Sequence, residues 1–507
     1  MKVEAIRLIN FMAFEDTGWI ELRPITLLFG RNSSGKSALI RALLLLKQSL
    51  DAEGEERPLA FVKENGLVDL GDFATTVHRK PGEGTGESQK RDHLNRSMVF
   101  GFRCDLTGEP TLDQVKRLVK ASKAVSVTED VLQTLARAEL FIGFGLYDGA
   151  VRPSLLDLRM GEAEPSISLL EYRRLAERET ADLEVQRSFI LNSDVANDPQ
   201  LDEATIGLRL RDARGFWTTF VEPLSKSFKA LDDVLRAVQD GVASFLRGMI
   251  HIGPIRPQPE RVYALRATDE PRYAREGLKG WYDFLRERVD EAQARSIAEW
   301  MRRLGLADDV RARADKDDGL LRRSRVSFDD KVEAVNIRDV GFGASQVLPV
   351  IAAAVLSPPD AFVVIEQPEL HLHPEAQAAL ADLFIDLARS GTQFVLETHS
   401  EHFLLRFQRR VAETSIETNS PDPVEPRNEG HALKDGQISV QFVTREITSS
   451  VEHIYLDKAG RLFTRDESDN KRDTSDKFNA FFRTDYVDAR LLGRAMSEIL
   501  SQPTSAV

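Results

Sequence analysis

Residues 25–37 read ITLLFGRNSSGKS: an apolar run, a turn of small residues, then a lysine and a serine that open SALIRALLLLKQSL. Ile25 to Phe29 has the composition of a buried strand, and the stretch after Ser37 repeats its apolar positions at helix spacing. Between them, Gly30-Arg31-Asn32-Ser33-Ser34-Gly35-Lys36-Ser37 fits G-x-x-x-x-G-K-[ST] without deviation. Strand, glycine-rich turn and helix, in that order, form a cradle for phosphate. The glycines let backbone N–H groups converge on phosphate oxygens, and the helix N-terminus adds its partial positive charge. Gly30, Asn32, Ser33, Ser34, Gly35, Lys36 and Ser37 are the expected nucleotide-binding residues. Lys36 is expected on the β- and γ-phosphates and the Ser37 hydroxyl on magnesium, so ATP and Mg2+ are the expected cofactors.

A second stretch, FVVIEQPELHLHP (362–374), reads as a buried strand ending in Glu366. Magnesium takes oxygen ligands and keeps several waters, so one carboxylate on a rigid strand suffices beside Ser37. Glu366 and Ser37 are the expected metal ligands. At the next position, Gln367 can orient water but cannot take its proton at neutral pH. Phosphoryl transfer depends mostly on positioning and electrostatics, so hydrolysis is expected, slowly. Glu369 is either a substitute base or a solvated loop carboxylate. His399 follows the next apolar strand, in VLETHS, and is expected to face the γ-phosphate. Glu366, Gln367 and His399 form the expected catalytic set. His371 and His373 read as part of an interface loop rather than a metal pair. Gly341 to Gln346, GFGASQ, opens a helix and makes a second anion site. One cradle and a second anion site suggest a dimer in which each subunit caps the other's ATP.

The 507 residues, 42% hydrophobic and 29% charged, describe a globular chain large enough for several domain-sized units. The first fifty residues alternate as strands before the cradle helix. Residues 1–105 are expected to form the N-terminal lobe of the core, and 106–330 a mostly helical insertion in which 250–265 returns to the core. Residues 331–412 complete the core, and 413–507 form a C-terminal strand and helix segment. Short apolar strands separated by helices argue a mainly parallel sheet covered on both faces. The expected fold class is α/β, a nucleotide-hydrolase head with N-terminal antiparallel strands and a largely helical insertion. The single cysteine, Cys104, gives no disulfide framework, and the N-terminus lacks an apolar h-region. The expected location is cytoplasmic, with no membrane partner. A net charge of -13 disfavours a protein whose whole surface coats nucleic acid. Arg322, Arg323 and Arg325, and Arg406, Arg409 and Arg410, leave a local DNA-binding groove open.

Taken in order, NFMAFEDTGWIELRPITLLFGRNSSGKSALIRALLLL, HIGPIRPQPERVY, VGFGASQVLPV, VVIEQPELHLHP and VLETHS resemble one family. It is that of the ABC-class AAA ATPases related to the RecF, SMC and OLD proteins, many of them from bacterial defence islands. The resemblance spans roughly residues 1–50 and 250–410 and implies a P-loop ABC-type ATPase head. It gives Lys36 and Ser37 the Walker A role, Glu366 the Walker B role and His399 that of switch histidine. Gly343, Ser345 and Gln346 match the signature region that reaches a partner's γ-phosphate, which implies a homodimer or higher homo-oligomer. Gln367 departs from the catalytic glutamate of many relatives, and VDLGDF occupies the region of a Q-loop without its glutamine. The acidic run DESD lacks the strand setting of the Toprim metal site that OLD nucleases carry, so a separate effector, a nuclease or toxin, is expected. The implied function is an ATP-dependent switch in anti-phage defence. Its alternatives are a DNA-repair or DNA-end ATPase and a scaffold with structural ATP.

Overall fold

The computed structural model describes residues 1–50, 58–64, 66–79, 96–109, 111–122, 135–147, 149–161, 167–173, 210–211, 219–220, 226–314, 321–328, 334–419, 430–465 and 471–473. The principal strands are β1 (Lys2–Phe11), β2 (Phe14–Asp16), β3 (Ile25–Gly30), β4 (Met98–Asp105), β5 (Arg137–Tyr147), β6 (Ala150–Met160), β7 (Ile167–Arg173), β8 (Ile250–Ile252), β9 (Asp309–Ala314), β10 (Leu321–Ser327), β11 (Phe362–Glu366), β12 (Gln393–Glu397), β13 (Ile438–Arg445) and β14 (Ser449–Leu456). The principal helices are α1 (Lys36–Leu50), α2 (Lys226–Gly248), α3 (Phe342–Val355), α4 (Pro374–Arg389) and α5 (Glu401–Asn419).

Among the described residues one 15-stranded sheet runs β8-β11-β12-β3-β13-β14-β2-β1-β4-β5-β6-β7 along its main path. From β8 to β13 the neighbours are parallel. From β1 to β7 they are antiparallel. The parallel half is apolar on both faces because helices cover both. Alternate side chains of β11 show it: Phe362 and Val364 join the core that α1 and α2 build, while Val363 and Ile365 join the core of α3, α4 and α5. The α/β class and the mainly parallel centre with N-terminal antiparallel strands are therefore present as expected.

Among the described residues, the insertion is less helical than its sequence pattern suggests. Arg137–Tyr147 forms β5 where AELFIGFGLYDG reads as a strand-like interruption, and β6 and β7 extend the antiparallel half beyond it. SLLEYRRLAERE reads at helix spacing, yet Ile167–Arg173 is strand, because a run this short satisfies either period and pairing with β6 decides it. Helix α2 spans Lys226–Gly248, and β8 joins the sheet beside β11. The C-terminal segment is not peripheral, since β13 pairs with β3 from Ile438↔Ile25 to Val443↔Gly30 and so lies inside the sheet beside the cradle strand. DESD lies outside the described residues. Among those described, no helix is long and apolar enough to cross a membrane.

Candidate functional site

Strand β3, buried throughout, ends at Gly30, and α1 begins at Lys36. The turn between them needs positive φ at three places: Gly30 (148°), Ser33 (62°) and Gly35 (112°). At Gly30 a side chain would also strike the carbonyl of Val443 on β13, so only glycine fits where the backbones meet. Lys36 is 4% exposed, and its Nζ donates to the Gly30 carbonyl at 2.8 Å and the Arg31 carbonyl at 3.0 Å. These bonds hold the ammonium across the mouth of the turn.

A cavity of about 830 Å3 opens over this turn. Asn32, Ser33, Gly35, Lys36 and Ser37 line it, as do Gln367 and His399 from the ends of β11 and β12. Arg41, Arg79 and Arg445 add positive charge to its wall, which suits a polyphosphate. One side is closed by the segment around Phe73–Thr76, which docks on the end of β1 through Met12 N to Thr76 O (2.7 Å) and His78 N to Asn10 O (3.1 Å). VDLGDF leads into this segment. Its position is fixed from α1, because the Gln48 carboxamide accepts from Leu67 N (2.9 Å) and Val68 N (3.1 Å).

The carboxylate nearest the cradle is one the sequence reading did not single out. Glu397 ends β12, which lies between the cradle strand β3 and the Glu366 strand β11, and its ladder partner is Glu366. Its two oxygens lie 3.4 and 3.3 Å from the Ser37 hydroxyl, which donates to them, and one is 3.9 Å from Lys36 Nζ. Burial, and then the Glu366 charge, push the Glu397 carboxyl up to about 7, against the pull of Lys36 and Ser37. Burial also lowers the Lys36 ammonium, with Glu397 opposing. Burial and then Lys36 lower His399, which favours the neutral ring, a group that can both donate and accept.

Glu366 makes no hydrogen bond to Ser37. Its Oε1 lies 2.8 Å from His251 Nε2 on β8. Its carbonyl and that of Gln367 accept from Arg256 Nη2 at 2.9 and 3.0 Å. Gln367 itself has a φ of 45°, and its N–H donates to the Glu397 carbonyl at 2.7 Å. Thus HIGPIRP, whose apolar start and prolines read as a strand turning into an ordered loop, holds the strained turn after β11 from behind. Glu369 is neither a solvated carboxylate nor a base facing the cavity. It is buried, with Oε1 accepting from Thr398 Oγ1 (2.7 Å) and His399 N (3.0 Å), which fixes the backbone at His399. Burial pushes its carboxyl up.

The Gly343, Ser345 and Gln346 trio opens α3, away from this cavity. Ser345 and Gln346 are buried, and the Ser345 hydroxyl donates to the Phe342 carbonyl at 2.8 Å. The surface offered at this helix start is Gly341 to Gly343, where the half-exposed Phe342 packs edge-on against His371 at 4.6 Å. His373 caps α4.

Magnesium's needs are met without an all-protein cage. Among the described residues no cluster of three or more His, Cys, Asp or Glu side chains could hold a metal. A hydroxyl and a buried carboxylate do converge at Ser37 and Glu397, the sparse oxygen set that magnesium shares with substrate phosphates and water.

A raised carboxyl gives a stability prediction. Above its ordinary value of 4.5 the unfolded chain ionises Glu397, while the fold resists until about 7. Stability present below pH 4.5 is thus lost as pH rises to about 7. Removing the charge with Glu397→Gln should stabilise the nucleotide-free protein at pH 8 by on the order of 3 kcal/mol and leave it unchanged near pH 4.5. Thermal melts of both proteins across that range check it, and a constant gap would refute it.

A family model described as "AAA domain, putative AbiEii toxin, Type IV TA system" matches residues 248–406. The match includes HIGPIRP, α3, Glu366, Gln367, Glu397 and His399; the Gly30–Ser37 cradle lies outside it. No curated protein matches the chain. Similar solved structures include an SmcHead bound to the C-winged helix domain of ScpA, 12% identical with a TM-score of 0.43, covering 90% of this chain and 100% of that one. The SMC head domain from Thermotoga maritima is 10% identical with a TM-score of 0.36, covering 89% of this chain and 98% of that one. An Smc head domain with an extended coiled coil, bound to the C-terminal domain of ScpA derived from Pyrococcus furiosus, is 12% identical with a TM-score of 0.39, covering 90% and 97%. The matched family, the cradle and the sheet order agree on an ATPase core that resembles the ABC-class AAA ATPases.

Proposed function

We propose that this chain binds ATP, hydrolyses it slowly and acts as a dimerising switch or sensor that controls a partner effector in anti-phage defence. The observation that carries the reading is the cavity over the cradle. It gathers Lys36, Ser37, Gln367 and His399 around one polyphosphate-sized space, and the residue at the water-activating position is a carboxamide. Lys36 would bind the β- and γ-phosphates, Gln367 would orient the attacking water, and neutral His399 would hydrogen-bond the γ-phosphate. Bound magnesium would neutralise charge that develops on the phosphates. The exposed start of α3 supports a second copy as the cap of this site. The toxin–antitoxin description of the matched family supports a separate effector. A switch needs little energy, because ATP that binds a closed state about 100-fold better shifts the balance by about 2.7 kcal/mol.

Phosphate release by the wild type, Gln367→Glu and Glu366→Gln tests the hydrolytic part. Gln367→Glu should raise turnover by about 10- to 100-fold by supplying a base. Glu366→Gln should lower it at least about tenfold by disturbing the turn that presents residue 367. Equal rates in all three would remove both roles.

A DNA-end ATPase is the second reading. On the exposed face of the β9–β10 ladder, Arg311 lies opposite Arg325, and Arg313 lies opposite Arg323. Arg311 is ion-paired with Asp309, and a row of four exposed arginines still suits a polyanion. Turnover stimulated by DNA and abolished by moderate salt would favour this reading over the effector switch.

A further inference from the structure

We propose that His251 is a positioning residue for Glu366: its imidazole holds one oxygen of the carboxylate, which leaves the other for magnesium or for a water that magnesium carries. The inference rests on the ATP-binding reading above, with Glu366 among the metal ligands, and deepens it by naming what orients that ligand.

Register explains how the two side chains meet. On β11, Val364 and Glu366 are two residues apart and so share a face of the sheet. His251, on the edge strand β8, pairs with Val364 in parallel register, so its side chain rises on that same face beside Glu366. Nε2 lies 2.8 Å from Oε1, and each side chain is only 15% exposed. A carboxylate can only accept, so the hydrogen sits on Nε2. Among the described residues the second oxygen, Oε2, takes no hydrogen bond. The main chain is held from the same stretch of sequence, since Arg256 Nη2 donates to the Glu366 carbonyl at 2.9 Å. HIGPIRP therefore fixes Glu366 at both its backbone and its side chain. That matters for a metal ligand, because a glutamate ordered in advance loses less rotamer freedom when the ion arrives. Each of the two strand-ending carboxylates thus has its own donor, Ser37 for Glu397 and His251 for Glu366. Losing such a partner behind a ligating carboxylate typically costs about 10- to 100-fold in metal affinity.

The test measures how much magnesium is needed to tighten binding of a fluorescent, non-hydrolysable ATP analogue, with EDTA as the magnesium-free reference and a thermal melt as folding control. His251→Leu keeps an apolar side chain on the strand but no donor. It should raise the half-saturating magnesium concentration at least about tenfold and leave affinity in EDTA within about twofold of the wild type. His251→Gln, whose amide can donate at similar reach, should return the requirement to within about threefold of the wild type. In a Glu366→Gln background His251→Leu should add nothing, because the residue it acts through is already altered. A hydrogen bond that only braces β8 would instead move the melting temperature of His251→Leu and not its magnesium requirement. The proposal is overturned if His251→Leu keeps the wild-type requirement, if a folded His251→Gln fails to restore it, or if the effect of His251→Leu persists in full beside Glu366→Gln. A wild type that does not bind the analogue, or binds it equally with and without magnesium, overturns the underlying reading of the site and this inference with it.

Discussion

Lys36→Ala should weaken ATP binding by at least about 100-fold. The ammonium is buried and already bonded to the Gly30 and Arg31 carbonyls, so it is held at the mouth of the turn before any phosphate arrives. Little ordering entropy is then lost on binding. Charge-assisted hydrogen bonds are worth about 1.5–3 kcal/mol each, and removing this donor from a phosphate-binding site costs about 3 kcal/mol or more. The folded state should survive, because alanine suits the first turn of α1 and burial already penalises the Lys36 charge. Equilibrium binding of a fluorescent ATP analogue, with a melt as folding control, measures the effect. Affinity within threefold of the wild type would show that the cradle does not hold the triphosphate.

The cradle was fully legible because its determinants are local: a strand, a turn that requires glycine, and the start of a helix within thirteen residues of sequence. The strand-ending Glu366 was legible for the same reason, but its contacts were not. Which strand lies beside β3 is a long-range choice, and the chain places β12 there with Glu397 at its end. A signal existed, since VLE closes an apolar strand just as VIE does, and parallel strands in register bring such ends together. Position β13 was hidden more deeply, because no local pattern in ISVQFVTR says that its partner is the cradle strand near the other end of the chain. The part of SLLEYRRLAERE that the structure describes, up to Arg173, has the converse cause: a local period close to 3.6 yielded to pairing with β6. In HIGPIRP the prolines announced a loop, but only the fold shows His251 and Arg256 gripping the turn after β11.

That grip makes Arg256 the residue whose loss should cost the most stability near the site. It is 4% exposed, and one guanidinium nitrogen bridges the carbonyls of Glu366 and Gln367. Burial lowers the guanidinium to about 10, opposed by the charges of Glu369 and Glu366, so it is also their buried counter-charge. Nε and Nη1 have no partner among the described residues, so desolvating them is a cost the fold already bears. Arg256→Met removes that cost but leaves two carbonyls unpaired and Glu369 without a cation. Breaking one side of a buried charged set typically destabilises by about 3–5 kcal/mol, and the unpaired carbonyls add to this. The lost desolvation cost offsets part, so a net loss of about 3 kcal/mol is expected. Arg256→Lys keeps the charge but not the reach and rigid placement of the guanidinium nitrogen that bridges the two carbonyls, and should recover about half of it. Gln367, at a φ of 45°, depends on the same bridge, so turnover in Arg256→Lys should fall further than its affinity for ATP. Denaturant midpoints and single-turnover phosphate release separate these effects. An Arg256→Met variant with a wild-type midpoint would mean that the turn after β11 is held by β12 alone, through Gln367 N–H and the Glu397 carbonyl.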